Sequence, residues 1–122
     1  MALSVSTQAS PVATRLVVQT SATATADNNI TNATGSVYMV DIDNTANAGQ
    51  AVYVKLYDNA SPTVGTTAPD IVCLATQGIR RQYVMPEGVA FGTAISMCCV
   101  TAGGTAGTTS PSSAVIVRLL TS

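Results

Sequence analysis

The chain predicts an all-β fold, an antiparallel β-sandwich of about seven or eight strands with jelly-roll-like or Greek-key connections. Three observations predict it. Apolar residues come in short runs, several of them alternating with polar residues. Each run is bounded by Gly, Pro, Ser, Thr or Asn. No window carries an apolar face at helical spacing, and the Ala residues of 21–26 alternate with Ser and Thr, whose side chains compete for the backbone. At 122 residues the chain suits one domain with a single core.

Residues 1–34 form a Ser-, Thr- and Ala-rich segment, expected to be an N-terminal arm or an edge strand, interrupted by the apolar patch Leu16, Val17 and Val18. Residues 35–122 are the expected sandwich core. Over 37–43 the alternation places Tyr38, Val40 and Ile42 on one face and Asp41 and Asp43 on the other. Residues 44–50, rich in Asn, Ala and Gly, read as a turn. The next run, 51–58, points Val52, Val54 and Leu56 inward and Tyr53, Lys55 and Tyr57 outward, so the two runs predict a hairpin. Further strands are expected at 71–75, 80–85, 94–101 and 114–120.

One internal echo organises the second half. Gly65-Thr66-Thr67-Ala68-Pro69 precedes the run ending at Ala75, and Gly107-Thr108-Thr109-Ser110-Pro111 precedes the run ending at Leu120. Both connections are too long for a tight hairpin and are expected to cross between sheets. Proline suits the entry to a strand, where its missing N–H takes nothing from the ladder.

Composition restricts function more sharply than fold. Five basic and six acidic residues nearly cancel, and without a basic stripe the chain has no means of neutralising a phosphate backbone, so no nucleic-acid partner is expected. His and Trp are absent, which removes the imidazole base that activates Ser or Cys nucleophiles, so no enzyme is expected. Asp41 and Asp43 share a strand face but lack the further converging carboxylates that a calcium site or glycosidase chemistry needs. The expectation is therefore no cofactor and no metal. Cys73, Cys98 and Cys99 match no metal-ligand spacing and read as small apolar residues in a reducing compartment. The stretch from Met1 to Ser6 lacks the basic and apolar regions of a signal peptide, and no apolar run approaches the length of a membrane span. A product made in the cytoplasm, with no membrane partner, is expected.

Two groups stand out as candidate interface residues. Tyr53 and Tyr57 flank Lys55 on one expected outer face, an arrangement suited to a half-wet protein contact or, as the rival reading, to a small sugar-binding platform. Arg80 and Arg81 read first as a solvated strand start, and in a functional role they are expected to pair with carboxylates of a neighbouring subunit. The Asn-x-Ser/Thr triplets at Asn29, Asn32 and Asn59 carry no weight in so Asn- and Thr-rich a chain.

Between Val52 and Leu120 the residues also carry a likeness. The segment from Tyr57 to Asp70 contains Pro62-Thr63-Val64-Gly65-Thr66 and then Pro69-Asp70 before an apolar strand. The segment Met85-Pro86-Glu87-Gly88-Val89-Ala90-Phe91 leads to another strand, followed by Thr101-Ala102-Gly103-Gly104-Thr105. This pattern resembles small virion proteins of tailed bacteriophages, over a little more than half of the chain. The resemblance implies a non-enzymatic β-sandwich subunit located on the virion. A capsid decoration or cement protein contacting the major capsid protein is the first expectation, and a tail, neck or fibre component is the second. A weakly charged surface fits a homo-oligomer, with a trimer favoured because cyclic assemblies suit threefold positions on an icosahedral shell.

Overall fold

The computed structural model describes residues 3–7 and 13–122. Among them are eight strands: β1 (Leu3–Thr7), β2 (Arg15–Ala22), β3 (Gly35–Asp43), β4 (Val52–Tyr57), β5 (Ile71–Ala75), β6 (Arg80–Phe91), β7 (Ser96–Val100) and β8 (Val115–Thr121). They form a five-stranded sheet in the order β1-β2-β8-β3-β6 and a three-stranded sheet in the order β5-β4-β7, with every pairing antiparallel. The all-β sandwich expected from the sequence is the fold observed.

The core lies between the sheets. Val17 of β2, Val37, Val40 and Ile42 of β3, and Val115, Val117 and Leu119 of β8 meet Val52, Val54 and Leu56 of β4 with Cys73, Ala75, Met97 and Cys99. Most of these side chains are fully buried, and each large aliphatic one contributes about 1.5–3 kcal/mol through burial. At one flank the Tyr83 hydroxyl of β6 donates to the Leu74 carbonyl of β5 at 2.5 Å, tying the two sheets together. At the other flank residues 23–30 run along the free edge of β7. Cys99 N donates to Thr23 O at 2.8 Å, Asp27 and Met97 exchange backbone hydrogen bonds, and Ile30 N donates to Ile95 O at 2.8 Å.

Several expectations are corrected. Residues 37–43 and 51–58 do not form a hairpin: β3 and β4 sit in opposite sheets, because Asn44 and the turn after it carry the chain across the sandwich. Tyr38 does not share a face with Val40 and Ile42. The register slips between Val37 and Met39, so Val37 takes the inward position and Tyr38 is only half-buried. The connection 58–70 does not cross, since β4 and β5 are neighbours in one sheet, whereas 101–114 does cross from β7 to β8. The expected strand at 80–85 extends to Phe91, because Met85, Pro86, Glu87 and Gly88 bulge out opposite Tyr38 and pairing resumes at Val89. Gly88 has φ +75°, and a β-carbon there would lie 2.8 Å from the Tyr38 ring. Of the N-terminal segment, β1 forms the sheet edge and β2 lies inside the sheet, between β1 and β8; residues 1–2 and 8–12 lie outside the described residues.

Candidate interaction surface

The side of β4 facing away from the core is not an outer face. Lys55 and Tyr57 are 0% exposed and Tyr53 is half-buried, because the two long connections fold over this side of the sheet as a third layer. Lys55 Nζ donates to the Gly107 carbonyl at 3.2 Å, and Tyr57 Oη lies 3.5 Å from Cys98 Sγ. Tyr57, Cys98 and Val100 form a second small core with Ala24, Ala26, Tyr53 and Val64 packed against it. Burial, together with the Cys98 contact, pushes the Tyr57 phenol far above its usual range. Gly103 rests against the Tyr53 ring, and a β-carbon on Gly65 would come within 2.5 Å of Thr108 Cγ2, so the echoed loops touch each other. Lys55 and Tyr57 are thereby covered by the chain's own loops, whereas Tyr53 stays partly exposed. Period-two alternation identifies the two sides of a strand but not what covers each of them.

Arg80 is also placed differently from the expectation. Its Nε and Nη2 each donate at 3.0 Å to the Asp41 carboxylate of its own chain, which raises the guanidinium pKa further through hydrogen bonding and charge. Asp41 is 1% exposed and also accepts from Gln82 Nε2 at 2.6 Å, with Arg118 Nη1 at 4.0 Å. Asp43 accepts instead from the Thr45 hydroxyl and amide, which hold its carboxyl below the usual range. Arg81 remains exposed, its guanidinium 5.2 Å above the Tyr83 ring centre. Among the described residues no three metal-ligating side chains converge.

A different surface stays open: the outer face of the five-stranded sheet. Strand register aligns Ser6, Leu16, Leu120, Met39 and Val84 in one row across all five strands. The next row is Ser4, Val18, Arg118, Asp41 and Gln82. The second sheet covers only the opposite side, so Leu16, Val18, Met39 and Leu120 are half-buried merely by their neighbours and Val84 is 63% exposed. In this face Arg80 and Arg118 both approach Asp41, and Asp43 of the same strand also lies within reach of their charges. Beside the row, the β6 bulge of Met85, Pro86, Glu87 and Gly88 lines a shallow groove of about 550 Å³. Sequence reasoning missed this surface because its residues come from five strands spread along the chain, and only their register brings them into a row. Comparison with protein-family models, with curated proteins and with solved structures finds no match for this chain.

Proposed function

We propose that the chain is a non-enzymatic structural subunit of a bacteriophage virion, a capsid decoration or cement protein that associates with further copies of itself and with the major capsid protein. The observation that carries this reading is the apolar row of Leu16, Leu120, Met39 and Val84 across the uncovered sheet face, beside a cluster in which Arg80 and Arg118 approach Asp41 of the same chain. An uncovered apolar row gains from burial, as the centre of a protein interface should. The Pro/Gly/Thr-patterned segments between Val52 and Leu120 supply the virion context through their resemblance to phage structural proteins. A tail or fibre component has the same physical requirements and is the second reading; a neighbouring major capsid gene favours the first, neighbouring tail genes the second.

The test is hydrodynamic and direct. Sedimentation of the purified chain is expected to give an oligomer, with a trimer favoured, that binds empty capsids. Met39→Glu and Val84→Glu are expected to reduce both self-association and capsid binding by about tenfold or more without changing the far-ultraviolet spectrum. A monomeric wild type with no affinity for capsids or tails sinks the proposal.

A further inference from the structure

The two sheets have four edges, and the chain itself occupies two of them. Residues 23–30 run along β7, and at the edge of β5 the Leu74 carbonyl accepts from the Tyr83 hydroxyl. The edges of the five-stranded sheet, β1 and β6, stay open among the described residues. They differ in chemistry. β1 carries no charge, whereas β6 starts with Arg80 and Arg81 and holds Glu87 in its bulge. Val72, Ile79, Val84 and Val89, large apolar side chains that remain exposed, also belong to β5, β6 or the turn between them.

Register fixes which backbone groups of β6 face outward. Asn44 N donates to Ile79 O at 3.0 Å, and these two residues stand opposite each other one step beyond the Asp43–Arg80 pair. Bonded and non-bonded pairs alternate along an antiparallel ladder, so Arg81 and Tyr83 also bond to β3. The N–H and C=O groups of Arg80, Gln82 and Val84 therefore point away from β3, toward the side where no strand of the chain lies. All three residues are exposed, Val84 to 63%. The bulge after Val84 interrupts the register, so the regular open edge runs from Arg80 to Val84.

We propose that β6 is a self-association edge: two copies pair β6 to β6, antiparallel and centred on Gln82, joining their five-stranded sheets into one continuous sheet. In this register Arg80 faces the partner subunit's Val84 and Gln82 faces itself, so every outward N–H and C=O of the regular edge finds a partner. Arg81 lies opposite the partner subunit's Tyr83, repeating across the joint the contact it makes within its own chain, where its guanidinium is 5.2 Å from the ring centre. Arg80 is already held by Asp41. Each end of the joint sets the bulge bearing Glu87 in one copy beside Ile79, Arg80 and Arg81 of the other, so opposite charges and exposed apolar groups meet. A strand with its cations at one end and its anion at the other is complementary to its own antiparallel copy, and the uncharged β1 edge offers no such match. The pairing rests on the self-association in the reading above and gives it a twofold joint, leaving the apolar row of the sheet face for other contacts.

Only a residue on the twofold axis meets its own copy, so the full-length chain is tested with Gln82→Cys and, separately, Val84→Cys. Under mild oxidation Gln82→Cys is expected to form a disulfide-linked pair. Val84→Cys is expected to stay unlinked, since its mate lies four residues along the joint, roughly 13 Å away. The native cysteines are all buried and give no background. Val84→Pro removes an outward N–H without touching the bonds to β3, and is expected to weaken self-association in sedimentation by about tenfold or more relative to Val84→Ala, with the far-ultraviolet spectrum unchanged. Arg81→Glu and Glu87→Arg are each expected to weaken it by about threefold, and the double variant to restore it. The edge joint is overturned if Gln82→Cys stays unlinked, if Val84→Cys links as fast, if Val84→Pro sediments as Val84→Ala does, or if the double variant associates no better than the single ones. Capsid binding is read separately. A linked pair that ignores capsids and tails sinks the virion reading and keeps the joint, whereas a chain that binds capsids without linking keeps that reading and sinks the joint.

Discussion

Asn44 joins three parts of the chain that secondary structure leaves unconnected. Its Nδ2 donates to the carbonyls of Gln50 at 2.8 Å and Thr76 at 3.0 Å, and its Oδ1 accepts from Asn47 Nδ2 at 2.9 Å. Asn47 in turn exchanges hydrogen bonds with the backbone of Ser113. Asn44 is 0% exposed, so Asn44→Ala leaves buried carbonyls unpaired and is expected to cost about 1–3 kcal/mol in urea-induced unfolding. A loss too small to measure would show that water replaces the network. Asp27 predicts the opposite sign. Burial raises its pKa, outweighing the hydrogen bond from Gln19 that lowers it. A folded-state pKa above the unfolded one favours the fold at low pH, and that advantage disappears as pH rises through the folded value. Asp27→Asn is therefore expected to raise the melting temperature at pH 7 and to give no such gain at pH 3, read by calorimetry. Asp58 runs the other way. Backbone amides of Thr93, Ala94 and Gly92 hold its carboxyl low, so the stability it adds is present at neutral pH and is lost on acidification.

At the scale of elements, β4 shows where sequence reasoning succeeds and where it stops. Its alternation of Val52, Val54 and Leu56 with Tyr53, Lys55 and Tyr57 was legible because a strand's side chains must point to opposite sides. The loop layer over the second side was not legible, since Gly-, Thr- and Pro-rich connections carry no periodic signal. The cysteines and Lys55 offer a check on this account. Burial pushes the Cys73 thiol up to about 11 and the Cys99 thiol up to about 12. In the native protein all three cysteines are expected to resist a disulfide reagent and Lys55 to resist acylation, and all four to react in denaturant. Rapid native labelling of Lys55 would reopen the original reading of that face.

At the scale of the whole molecule the sandwich is asymmetric. One outer side is sealed by loops that carry buried Lys55 and Tyr57 beneath them, and the other is a bare sheet with an apolar row. Association is therefore expected through one side. Glutamate at Thr66, an exposed position in the loop layer, should leave the sedimentation profile unchanged while glutamate at Met39 alters it. Equal effects would contradict a one-sided interface. The overall class was legible from strand count and turn residues. The sheet order was not, because register and pairing depend on contacts between residues far apart in the chain.

The enclosure of β4 also sets a timescale. It is paired on one edge to β5 and on the other to β7, with the core against one side and the loop layer against the other. No local fluctuation frees such a strand, since exposing its amides requires the sheets to part and the loops to lift together. Hydrogen exchange at β4 should therefore proceed at the pace of complete unfolding, while the edge amides of β1 and β6 exchange through small openings. The molecule contains its own slow clock, and a rate read at Val54 measures how long the whole subunit persists between unfolding events.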